Sequence, residues 1–166
     1  EEIIKILKVK LASWDLQLEM LNEELQQRQR YASNMASVPS ADENHIIIKR
    51  YRIGLSFYET EHFQDAVRAF RTLLNEYPDN LLATNCWYWL GESYFGARDY
   101  NSAIEAFQKV MEDLTSPKNQ ISHFMLALSL WQMGNISQAK SEFEEILELY
   151  PNSLYEPLIR EYLAEL

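Results

Sequence analysis

The sequence predicts an all-α chain: an N-terminal coiled-coil helix, then three stacked helical hairpins closed by a capping helix. The strongest of the three observations behind this is a pattern that recurs three times. Gly54, Phe57, Ala66 and Phe70 form the first copy, Gly91, Tyr94, Ala103 and Phe107 the second, and Ala127, Leu130, Ala139 and Phe143 the third. Each copy has internal spacings of 3, 9 and 4, and successive copies lie 37 and then 36 residues apart. A period of that size marks stacked helical hairpins. The second observation is the seam Ile4, Leu7, Leu11, Trp14, Leu18, Leu21 and Leu25. Its steps alternate between 3 and 4, as the a and d positions of a coiled coil do. The third is composition. The 166 residues include only 4 Gly and 5 Pro, too few for a β fold rich in tight turns, while 47 % apolar residues supply a packed core.

The heptad helix takes residues 1–35. Between its seam positions stand mostly charged and amide residues, among them Glu19, Asn22, Glu23, Glu24, Gln26 and Gln27. Such a helix is roughly 45 Å long, more than a small domain can cover without bending it. Oligomerisation through the seam is therefore the sharper expectation, and packing of the helix against the chain's own repeats is the plainer one. Residues 36–44 lack periodicity, carry Pro39 and read as a flexible linker.

The hairpin domain spans 45–166, divided into 45–78, 81–115, 118–151 and a cap at 153–166. Helices are expected over about 44–59 and 63–76, 81–97 and 100–114, 118–133 and 137–150, and finally 154–165. Tyr77-Pro78-Asp79-Asn80 and Tyr150-Pro151-Asn152-Ser153 stand between these units. In each, Pro ends one helix and Asn80 or Ser153 is placed to cap the next.

A formal charge of −10 argues against nucleic-acid and anionic-lipid partners, which require clustered Lys and Arg. No run of 18 apolar residues exists, so no direct membrane span is expected. The histidines His45, His62 and His123 show no metal-ligand spacing, and no metal site is assigned. The glycines lack phosphate-loop spacing, so no cofactor is assigned either. The single cysteine, Cys86, has no base beside it and reads as a small core residue next to Trp87. No residue is assigned a catalytic role, and the chain is expected not to be an enzyme.

The candidate site is instead the inner face formed by the first helix of each hairpin. A peptide-binding groove is expected to be lined by Tyr51, Leu55 and Tyr58, by Tyr88, Glu92 and Phe95, and by Phe124, Leu128 and Trp131. Tyr51, Tyr88 and Phe124 make one ladder across the copies, and Tyr58, Phe95 and Trp131 another. Aromatic side chains with a polar handle suit a peptide-binding surface. The competing reading is that these rings pack between neighbouring hairpins, or under the cap, as core.

The second copy, with Trp87, Leu90, Gly91, Tyr94, Ala103 and Phe107, resembles the tetratricopeptide repeat. That resemblance implies a right-handed superhelix of paired helices used for protein binding. The first copy departs from it with Arg50 at the Trp position, and the third with His123 there and Ala127 in place of Gly. The order of coiled coil, polar linker, three repeats and cap resembles the YbgF/CpoB family of the Gram-negative envelope. So do the phrases at 77–80, 87–94, 99–100, 103–110 and 150–153. This resemblance implies a periplasmic location, trimerisation through the N-terminal helix, and a role in coordinating outer-membrane constriction with cell-wall synthesis. The implied partners are envelope proteins such as TolA or a cell-wall synthase. Two alternatives stay open: a repeat scaffold for outer-membrane protein assembly, and a regulatory domain of a larger protein.

Overall fold

A computed structural model describes residues 41–80 and 82–165. The seam Ile4, Leu7, Leu11, Trp14, Leu18, Leu21 and Leu25 lies outside the described residues. Among the described residues seven helices follow one another: α1 (Ala41–Glu59), α2 (Phe63–Glu76), α3 (Ala83–Gly96), α4 (Tyr100–Met111), α5 (Asn119–Gln132), α6 (Ile136–Leu149) and α7 (Glu156–Glu165). No strand occurs among the described residues. α1 begins at Ala41, so the last four residues of the expected linker belong to its first turn instead.

From α2 onward each helix packs on the next, and α3 also touches α5, as neighbouring first helices of a hairpin stack do. The small residues of the repeated pattern explain the close approach within each pair. An added Cβ at Gly54 would lie 2.7 Å from the Phe70 ring, and one at Gly91 would lie 2.6 Å from the Phe107 ring. Ala66, Ala103, Ala127 and Ala139 are wholly buried, as are Phe70, Phe107 and Phe143. Gly96 makes the same kind of contact between hairpins, its Cβ position lying 2.5 Å from Phe63.

The turn inside each hairpin is built the same way three times. His62, Asp99 and Asn135 donate their backbone N–H to Phe57, Tyr94 and Leu130, at 2.9, 2.9 and 3.0 Å. Glu61, Arg98 and Gly134 donate to Tyr58, Phe95 and Trp131. These paired bonds satisfy the last carbonyls of the first helix and require one residue with left-handed backbone. That residue is Glu61 (φ 60°), Arg98 (φ 62°) or Gly134 (φ 78°). Between hairpins, side-chain oxygens of Asn80, Ser116 and Ser153 accept from the N–H of Leu82, Lys118 and Tyr155. The capping expected of Asn80 and Ser153 is thus made two residues downstream, and Ser116 makes an equivalent contact.

The helices differ in how much of their surface is covered. α2 is amphipathic, burying Ala66, Val67, Phe70, Leu73 and Leu74 on one side. In α5 every residue from Ile121 to Leu130 is buried. It lies between α4 and α6, with Tyr155, just before α7, and Tyr162 on α7 closing over its aromatic side.

Candidate functional site

The nine residues expected to line an open groove divide into two sets. Tyr51, Tyr88, Glu92, Phe124 and Leu128 are buried, which corrects the expectation that they present free surface. Leu55, Tyr58, Phe95 and Trp131 are partly exposed.

The reason lies in the helix geometry. Tyr51, Tyr88 and Phe124 each stand three residues before the crossing position, so their rings reach the second helix of their own hairpin. The Tyr51–Phe70, Tyr88–Phe107 and Phe124–Phe143 ring centroids are 5.9, 6.1 and 5.9 Å apart. This ladder is core, in three equivalent copies. Phe124 also stacks on Tyr155 at 5.3 Å and meets Tyr162, while Trp131 meets Tyr162 edge-on at 5.0 Å. The cap therefore occupies part of the surface that the third hairpin would otherwise offer.

The upper ladder is more open. Tyr58 packs on Phe63 and Trp89, and Phe95 on Tyr100. Tyr58 donates its hydroxyl to Glu92 Oε2 at 2.8 Å, and Trp89 donates its indole N–H to the Tyr51 hydroxyl at 2.8 Å. These bonds tie α1 to α3, and the Tyr58 side chain stays partly exposed.

Two buried ionisable side chains accompany this row. Glu92 is 2 % exposed and Lys118 3 %. The Lys118 Nζ sits 4.2 Å from the centroid of the Tyr88 ring and 5.6 Å from that of Trp89, a cation–π arrangement. Burial pushes the Lys118 ammonium down to about 7, and the Glu92 carboxylate pulls in the opposite direction. Burial, followed by the same carboxylate, holds the Tyr58 and Tyr88 phenols well above their ordinary value. Sequence reasoning missed Lys118 because it stands in the loop after Pro117, outside the repeating pattern. Cys86, expected in the core, is wholly buried, and its thiol is pushed up by that burial.

Among the histidines, the fold singles out His123. It is 1 % exposed, and its Nε2 lies 2.7 Å from Glu142 Oε2 on α6. Glu145 lies close by, with one donor atom from each of the three residues within 4.8 Å of the others. The spacing of the histidines among themselves could not reveal this group, because two of its members are carboxylates from another helix.

The tetratricopeptide repeat matches over residues 51–114 and again over 94–162, which together span more than half of the chain. No curated protein sequence matches it. Among solved structures, the chain is similar to SycD, the Yersinia enterocolitica type III secretion chaperone, solved with a peptide of the translocator YopD. That match has a TM-score of 0.62 at 19 % identity, over 73 % of this chain and 92 % of that one. The second repeat domain of human RPAP3, solved with an HSP70 peptide, aligns with a TM-score of 0.59 at 15 % identity, over 74 % and 96 % of the two chains. MamA aligns with a TM-score of 0.58 at 22 % identity, over 72 % of this chain and 64 % of its own. At these identities the likeness is one of fold. The matched repeats, the Gly-on-Phe crossings and the recurring turn agree, and the chain belongs to the tetratricopeptide repeat family.

Proposed function

We propose that this chain is a non-catalytic protein–protein interaction scaffold of the bacterial cell envelope. It acts in the periplasm as the Tol–Pal accessory protein does, coordinating outer-membrane constriction with cell-wall synthesis during division. The observation that carries the binding role is the partly exposed row Leu55, Tyr58, Phe95 and Trp131 along the first helices, above the buried Glu92 and Lys118. An apolar peptide segment suits such a row better than a C-terminal carboxylate, which calls for several accessible cations. Peptides bound to SycD and RPAP3 support the reading that this fold presents a peptide-binding face. The proposed partners are TolA or a cell-wall synthase. The N-terminal seam supplies oligomerisation, with a trimer favoured, and several grooves on one oligomer raise avidity through effective concentration.

The test is titration of the periplasmic domains of TolA and of a cell-wall synthase against the full chain and its Phe95→Ala variant. The reading expects micromolar or tighter binding to one of them, weakened at least tenfold in the variant while its helical circular dichroism is retained. Equal binding by a folded variant moves the site off this row. Binding to neither partner overturns the Tol–Pal assignment.

A further inference from the structure

A surface slot beside the paired helices occurs in the first and second hairpins, and at the equivalent positions of the third the chemistry changes. In the first hairpin the slot is lined by Arg50, Ile53, Phe57, Ala69 and Thr72, with others. In the second, the equivalent positions are Trp87, Leu90, Tyr94, Ala106 and Lys109. In the third, three of these positions become His123, Glu142 and Glu145. A ring on an alanine floor has been replaced by an imidazole facing two carboxylates. One carboxylate is enough to pair with the imidazole Nε2, and Glu142 provides it. Glu145 is surplus to that bond.

We infer that His123, Glu142 and Glu145 form a binding site for a divalent transition-metal ion, of which Zn2+ is the leading candidate. The donor set is one imidazole nitrogen and two carboxylates, which suits Zn2+, Co2+ and Ni2+ better than Mg2+ or Ca2+. Glu142 and Glu145 are three residues apart on α6, so they share one face. His123 reaches them from α5 and is held by its burial. Donor atoms around a tetrahedral Zn2+ are roughly 3.3 Å apart. The group spans no more than 4.8 Å, so a rotamer adjustment of the exposed Glu145 closes it. Solvent completes the coordination sphere on the open side.

The imidazole also limits the affinity. Its Nδ1 is buried and makes no hydrogen bond among the described residues. When Nε2 binds the metal, the proton resides on Nδ1 without the acceptor that ligand histidines normally have, which costs about 10–100-fold in affinity. A micromolar site is therefore expected. Binding the ion joins α5 to α6 and stabilises the third hairpin by mass action.

The experiment is to titrate the untagged full chain with Zn2+ while following its melting temperature, and with Co2+ while following the visible absorption of the bound ion. At about a hundredfold excess over Kd the melting temperature should rise by roughly 8 °C. Glu145→Gln alters an exposed side chain, and Glu142→Gln keeps an acceptor for the imidazole N–H, so both variants should fold without metal. Each should bind at least tenfold more weakly. No shift and no Co2+ absorption in the parent chain overturns the site. Unchanged affinity in either variant overturns it as well, because the ion is then held elsewhere.

Discussion

Gly134 and Gly91 are the same residue type placed for different reasons. Gly134 has open space around its Cβ position and a φ of 78°. Its replacement by Ala brings only the left-handed backbone penalty, about 1 kcal/mol. Gly91 has ordinary helical backbone, but a Cβ added there would lie 2.6 Å from the Phe107 ring. Gly91→Ala forces that ring to move inside a packed core and should cost more, about 2–3 kcal/mol. Urea unfolding of the two variants checks the order, and a larger loss at Gly134 contradicts it. Lys118 makes a second prediction at this scale. Its folded value is lowered to about 7 from an ordinary value of 10.5, so between those pH values the unfolded chain binds more protons. Stability contributed by this residue should therefore rise with pH above about 7, by up to roughly 1.4 kcal/mol per pH unit. Glu92 and the rings of Tyr88 and Trp89 are among the groups facing it. Lys118→Met should flatten the slope in denaturant titrations between pH 7 and 9, and an unchanged slope assigns it to other groups.

At the scale of elements, α7 is a true part of the core. Tyr162 lies parallel to Phe143 at 5.4 Å and edge-on to Trp131. Tyr162→Ala should cost about 3–4 kcal/mol, read as a fall in melting temperature, and a near-neutral result would mean that the cap is only loosely seated. The same packing explains what was legible in the sequence. Gly54, Gly91 and their Phe partners repeat at constant spacing, so the hairpins and their turns could be read directly. The exposure of the ladder could not, because Tyr88 and Phe124 carry the same residue chemistry whether they face solvent or Phe107 and Phe143. Which it is depends on a rotation of the helix about its axis, and the stretch from Ile121 to Leu130, buried throughout with Ser122, His123 and Ser129 inside it, gives no clean periodicity to set that rotation. The His123 group was illegible for another reason. Its ligands come together only through pairing of α5 with α6.

At the scale of the whole molecule, the proposed oligomer is tested by light scattering. The full chain should measure as a trimer and a version starting at Ser40 as a monomer. A monomer in both overturns oligomerisation through the seam. Stacked repeats gain stability mainly from contacts with their neighbours, so the hairpin flanked on both sides should be the last to open. Cys86 lies in that middle hairpin, with its thiol wholly buried. As the only cysteine of the chain, it gives the native protein a single chemical clock. A thiol reagent can modify it only while α3 is detached from its surroundings. The modification rate, compared with that of an unfolded peptide, measures the opening free energy of the centre of the array without any mutation. A value equal to the global unfolding free energy would mean that the hairpins open as one unit, and a smaller value would mean that the array unzips.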